Sequence, residues 1–265
     1  MAWSEIADAA PVPMSGLLAF MERWAPGSTE RLEPATPDQV AALAEHSGGI
    51  AKLPPVYRDF LETMGSSTGG FTLMWGTTAI GDLLEDLEDH ERRRPDLRRY
   101  LKFAIGEEDY NGRHPDDFFD LARPTPDWLD ASILRVREAD LLGGTVRPDA
   151  PFATFSDLLR SVFVGKLGLD RESKRDIVTV GFGRDVTMVQ RVYDFLQGLG
   201  FSINDLGASR NVVPVEDPKR GALALITAPG PMMSGTLLQL RARSETEQRI
   251  LSELVTDHRK KVLGL

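Results

Sequence analysis

Leu53, Tyr57, Phe60, Leu61 and Met64 recur at i, i+4, i+7, i+8 and i+11, and Met188, Val192, Phe195, Leu196 and Leu199 repeat the same interval late in the chain. On a 3.6-residue helix each set is one continuous apolar stripe, and each stripe needs a surface to cover it. Between and after the two stripes the period changes to short β-rich runs, so two helix-on-sheet cores are expected in one α+β chain. A length of 265 residues is enough for two small domains, each with its own core.

The punctuation around the first stripe is specific. Thr36-Pro37-Asp38-Gln39 places a hydroxyl at an N-cap, proline at the first helical position and glutamine three residues on, where it reaches back to the cap amide. Gly48-Gly49 stops that helix, Pro54 and Pro55 open the next, and Gly65 is expected to close it in a left-handed C-cap. Strands are expected over Phe71–Trp75 and Thr77–Ile80 around Gly76, then over Leu101–Ile105, Phe118–Leu121 and Ile133–Val136. A charged helix or a long insertion is expected over Leu83–Arg94, with its acids first and arginines last, as the helix macrodipole favours. Ser156 is the expected cap of a helix carrying Leu158, Leu159, Val162 and Phe163. A short amphipathic helix carrying Leu17, Leu18, Met21 and Trp24 precedes all of these.

The polar run of residues 165 to 176 marks a boundary, giving a first domain over 1–165 with an N-terminal helical extension and a second over 166–265. In the second, Ile177–Phe182, the helix of the second stripe, Val212–Val215, Ala222–Thr227 and Leu237–Ala242 form a small α/β sandwich that resembles the ferredoxin-like arrangement. Ser244-Glu245-Thr246-Glu247 opens a last helix whose expected inner face is Ile250, Leu251, Leu254 and Val255.

Several chemistries find no support. Cysteine is absent, which removes disulfides and thiolate chemistry and fits a reducing cytoplasm. The Gly65–Gly70 run follows a helix and lacks the Lys-Ser/Thr of a phosphate loop, while Gly181-Phe182-Gly183 has Val186 where a dinucleotide fingerprint places its third glycine, which leaves only anion binding at the following helix N-terminus as an option there. The four histidines show no zinc-protease spacing, and no G-x-S-x-G elbow occurs, so no catalytic residue, metal or cofactor is expected. A metal site in the acidic turn with Glu107, Glu108, Asp109, His114, Asp116 and Asp117 is outweighed by a solvated or partner-binding face, for want of EF-hand spacing. Trp24, Trp75 and Trp128 are expected to be packing residues. No apolar stretch is long enough to span a membrane.

Charge is uneven. Residues 1 to 165 hold 28 acidic against 16 basic side chains, whereas residues 166 to 265 hold 12 against 15. Such an acidic first part repels a phosphate backbone, so nucleic acid is not an expected partner and a basic protein is.

The order of features in residues 36–164 resembles the SUKH superfamily, the domain of fungal cell-wall assembly regulators and of many bacterial immunity proteins. The resemblance rests on Thr36-Pro37, on "LPPVYRDFL" at 53–61, on Gly69-Gly70-Phe71, on "LKFAIGEED" at 101–109 and on "FATFSDLL" at 152–159. It covers about half of the chain; Met64-Gly65 and the expanded stretch from Leu83 depart from the family pattern, and residues 166–265 lie outside it. It implies a non-enzymatic binding domain, whose bacterial members neutralise a cognate toxin, often a nuclease. The expected contact surface comprises Asp82, Glu85, Asp86, Glu88, Asp89, Glu107, Glu108, Asp109, Asp116 and Asp117. The second domain is expected to extend that interface or to mediate homo-oligomerisation. The alternative is a regulatory protein that senses a small molecule through its C-terminal domain.

Overall fold

The computed structural model describes residues 3–7, 10–49, 52–73, 76–91, 99–107, 115–137, 154–169, 178–182, 187–229 and 235–263. In chain order its helices are α1 (Met14–Trp24), α2 (Pro37–Ser47), α3 (Pro55–Met64), α4 (Ile80–Glu91), α5 (Phe155–Phe163), α6 (Thr187–Gly198) and α7 (Glu245–Leu263). The strands are β1 (Leu32–Glu33), β2 (Ser67–Thr68), β3 (Gly76–Thr77), β4 (Tyr100–Gly106), β5 (Asp116–Pro124), β6 (Ala131–Val136), β7 (Val178–Gly181), β8 (Ser202–Ile203), β9 (Val212–Asp217), β10 (Ala222–Thr227) and β11 (Leu237–Ala242). The chain is α+β, in two compact units: residues 25–159, and residues 160–265 joined by residues 1–24.

In the unit of residues 25–159, the capping box opens α2 as the residue types require. The Thr36 hydroxyl accepts the Gln39 amide at 3.2 Å, and the Gln39 side chain accepts the Thr36 amide at 2.9 Å. Gly48 ends the helix in the left-handed region, at φ 92°. Gly65 corrects the expectation for α3. Its φ is −71°, an ordinary right-handed value, and a Cβ there would lie 2.6 Å from the Leu61 carbonyl oxygen and 2.9 Å from the Ala35 side chain. Glycine is needed for close approach; the left-handed turns come later, at Gly69 and Gly70.

The sheet of this unit has strand order β3-β4-β5-β6, antiparallel throughout. The expected strand over Thr77–Ile80 is replaced after Thr77 by the start of α4, because the Thr77 hydroxyl accepts the Ala79 amide and donates to Asp82 at 2.7 Å, turning the chain into a helix. Residues 71–73 are outside any strand, and 74–75 lie outside the described residues. The capping hydroxyl of α5 is that of Thr154, accepting the Asp157 amide at 3.2 Å, and not that of Ser156. The stripe of α3 meets one face of the sheet in a cluster of five rings. Tyr57, Phe60, Phe103, Phe119 and Phe155 are all fully buried, with contacting centroids 4.7–6.3 Å apart. Each such ring contributes about 1.5–3 kcal/mol by burial, with about 0.5–1.5 kcal/mol more for an edge-on or tilted pair.

The second sheet runs β7-β11-β10-β9-β8, again antiparallel between neighbours. Its element order, β-α-β-β-β-β-α, ends on a helix, whereas the ferredoxin-like order β-α-β-β-α-β ends on a strand. The apolar stripe of α6 packs with α7 on the face carrying Val213, Val215, Ala224, Ile226, Leu238 and Leu240. On α7 only part of the expected inner face is inside. Leu251 and Val255 are buried, but Ile250 and Leu254 stand 39% and 40% exposed, so the buried stripe is narrower than the capping register suggested.

Every residue of β10 is buried, so this sheet needs cover on both faces. That requirement brings in the N-terminal residues, which the sequence division had placed with the first domain. The reverse face at Leu223 meets a π-helical turn, Val164–Leu169, where a Cβ on Gly168 would fall 1.9 Å from a Leu223 methyl and 3.8 Å from Phe20 of α1. Leu17, Phe20 and Met21 bury the inner side of α1. Ion pairs fasten its end, from Arg23 to Asp205 at 2.7 Å and to Glu216 at 3.4 Å. The division between the two units falls inside α5, upstream of the expected boundary; residues 170–176 of that boundary lie outside the described ones.

Candidate functional site

The ten acids expected to form one contact surface are divided by the fold. Asp82, Glu85 and Glu88 are exposed, and their spacing of three residues puts them on one side of α4. Glu107, just past the end of β4, is exposed as well. Asp89 belongs to α4, but its side chain, like Glu108, Asp109 and His114, lies outside the described residues.

Asp86, Asp116 and Asp117 are engaged in ion pairs within the fold, Asp86 from a part-exposed position. Asp116 and Asp117 are 8% and 3% exposed. Alternation along β5 sends these neighbours to opposite faces of the sheet. On one face the Lys102 ammonium, 4% exposed, sits between Asp86 at 2.6 Å and Asp116 at 2.8 Å. It also lies 5.6 Å from the centre of the Phe118 ring. Asp116 further accepts the Gly106 amide at 3.0 Å. Burial pulls the Lys102 ammonium down, but Asp116 and Asp86 more than offset it and hold its pKa above the ordinary lysine value. On the other face Asp117 stands across the strand pair from Arg135, with 3.7 Å between their charged atoms. There desolvation prevails: burial pushes the Asp117 carboxyl up to about 7, against the pull of Arg135 and with a further push from Asp116.

A pH dependence follows. Because the folded pKa of Asp117 exceeds its unfolded value, the folded state favours the protonated form. The contribution to stability is therefore complete below about pH 4 and is lost as pH rises towards 7. Wild type is expected to lose about 1–3 kcal/mol relative to Asp117→Asn between pH 4.5 and 7.5. Urea titrations of the two proteins across that range check the difference in slope, and parallel pH profiles would contradict it.

A third cluster lies at the far end of the same strands. Asp120, 1% exposed, accepts both Arg99 nitrogens, Nε at 2.8 Å and Nη2 at 2.7 Å, with Arg123 at 3.6 Å. Burial alone raises this carboxyl, but Arg99, the Ala122 amide and Arg123 bring it below the usual carboxylate range.

Sequence reasoning centred on acids missed their basic partners Lys102, Arg135 and Arg99. A signal was present for two of them: Lys102 and Arg135 interrupt apolar strand runs, Leu101–Ile105 and Ile133–Val136, where a buried cation requires a carboxylate. Among the described residues no group of three or more His, Asp or Glu side chains is arranged to hold a metal ion. No helix there is long and apolar enough to cross a membrane.

Trp128 also departs from the packing role expected of it. It is 71% exposed at the tip between β5 and β6, whereas Trp24 is half-buried under the Arg243 guanidinium, 5.3 Å from its ring centre. Trp75 lies outside the described residues.

Comparison of the chain with protein-family models, with curated proteins and with solved structures finds no match.

Proposed function

We propose that this chain is a non-enzymatic protein-binding protein of the immunity type, acting in the cytoplasm, whose unit of residues 25–159 covers a basic surface of a toxin such as a nuclease. The observation that carries the reading is the sorting of acids on and beside α4. Asp86 and Asp116 neutralise a buried lysine, while Glu85 and Glu88 of α4 and Glu107 just past β4 are exposed, as is Asp82, which also accepts the Thr77 hydroxyl. Glu85, Glu88 and Glu107 are exposed and so open to a basic partner. Such a set raises the rate at which a basic partner docks and disfavours acidic competitors. The acidic balance of residues 1–165 and the resemblance of residues 36–164 to SUKH domains support the same reading.

Co-expression tests it. The chain is expected to rescue cells from the toxin encoded beside its own gene and to co-purify with that toxin as a defined complex. Cells that die at the control rate, with no complex recovered, would count against the proposal.

A further inference from the structure

The tip between β5 and β6 carries an aromatic side chain that the fold holds out in water at some cost. Trp128 is the one non-glycine residue with positive φ, 61°, among the described residues. That left-handed conformation suits glycine or asparagine and is strained for a bulky side chain. The surrounding turn fixes it from several sides. The Trp128 amide donates to the Thr125 carbonyl at 2.9 Å, and the Thr125 amide closes the turn on the Asp130 carbonyl at 2.8 Å. The Asp127 carboxylate accepts the Thr125 hydroxyl at 2.6 Å and the Leu129 amide at 3.1 Å. The turn is also tied to two helices, since the Leu129 carbonyl accepts the Val56 amide of α3 at 3.0 Å and the buried Asp130 carboxylate accepts the Ser156 amide of α5 at 2.8 Å. The indole gains little from this arrangement as packing. Strain at an over-determined position with no benefit to the core is the usual mark of a working residue.

We infer that Trp128, with the 39% exposed Leu129 beside it, is the apolar anchor by which this unit grips a folded protein partner, inserting the indole into a pocket of that partner. Tryptophan on a rigid frame loses little entropy on binding and is the residue most often found at the energetic centre of an interface. Charge selects a protein over the other candidates. A chain of net charge −9, with Asp127 next to the indole, is repelled by nucleic acid and by anionic lipid. The exposed run Pro126-Asp127-Trp128-Leu129 is one anchor with a polar neighbour, too small and too polar for a membrane face. The inference rests on the protein-binding reading above and adds to it a contact whose energy is apolar.

Two measurements on the full chain test it. The first needs no partner: Trp128→Gly and Trp128→Asn should melt at the wild-type temperature or about 2–4 °C above it, since either residue accepts the left-handed backbone. A fall in melting temperature in both variants would show that the indole serves the fold and would overturn the inference. The second uses the toxin encoded beside the gene, with affinity measured by calorimetry. Trp128→Gly should bind at least about 30-fold more weakly than wild type. Equal binding by the two proteins overturns this anchor and leaves the protein-binding reading standing, whereas failure of wild type to bind overturns both. Vesicles of phosphatidylcholine and phosphatidylglycerol should leave both proteins in solution; Trp128-dependent sedimentation with vesicles would assign the indole to a membrane instead.

Discussion

Arg160→Met is expected to destabilise the unit of residues 1–24 and 160–265 by about 3–5 kcal/mol. Arg160 is fully buried and is among the largest fully buried side chains of the described residues. Its guanidinium donates to the Leu206 carbonyl at 3.2 Å, to the Gly207 carbonyl at 3.3 Å, and to the Ala10 and Pro11 carbonyls at 2.8 and 3.4 Å. One planar fork thus joins the N-terminal segment to the loop before β9, and methionine of similar length would leave the buried Leu206 carbonyl and the part-buried Gly207, Ala10 and Pro11 carbonyls without this donor. Arg210 supports the same segment, through its amide to the Ala7 carbonyl at 3.0 Å and its Nε to the Ile6 carbonyl at 3.1 Å, but from a less central position. Urea unfolding should show the loss, and limited proteolysis should show new cleavage ahead of α1. Arg160→Lys should recover less than half of the loss, because an ammonium cannot serve carbonyls on both sides of a planar fork. A variant as stable and as protease-resistant as wild type would contradict this account of the N-terminal residues.

Lys102→Met is the second large effect, of about 3–5 kcal/mol, and it falls in the other unit. The substitution keeps the volume of the side chain and removes the charge that Asp86 and Asp116 share. Two carboxylates then face each other in a partly dehydrated place with no cation between them. The double variant Lys102→Met with Asp116→Asn should be more stable than the sum of the single effects implies, and a double-mutant cycle from denaturant titrations at pH 7 measures that coupling. Additive single effects would show that the three groups do not act together.

What the sequence disclosed and what it withheld divide along one physical line. Local chemistry was readable. Thr36, Pro37 and Gln39 built the capping box they spell, the stripes of α3 and α6 became the centres of two cores, and the strands around Phe103, Phe119, Ile133, Val213 and Leu225 lie where β-rich alternation placed them. Features set by a distant partner were not. Nothing near Leu17 or Phe20 says that they cover the reverse face of a sheet some 200 residues away, because that need arises only when β10 is surrounded on both sides. Gly65 carried a familiar signal for the wrong reason: its space is taken by Leu61 and Ala35, one of them beyond the reach of local pattern. The acids of the candidate site were found by composition, which counts charge but cannot tell an internal Asp116 from an outward Glu85; only the register of β4 against β5 sorts them. Trp128 was assigned to packing by residue type, and its exposure follows from a turn whose bonds reach α3 and α5.

The claim that α4 faces a basic protein partner is tested most directly by the association rate with the toxin encoded beside the gene, followed by stopped flow from 20 to 500 mM salt. The wild-type association rate is expected to fall steeply with salt. Glu85→Lys with Glu88→Lys is expected to associate at least about 10-fold more slowly at low salt, with the dissociation rate nearly unchanged. Association that ignores both salt and the charge reversal would contradict the claim.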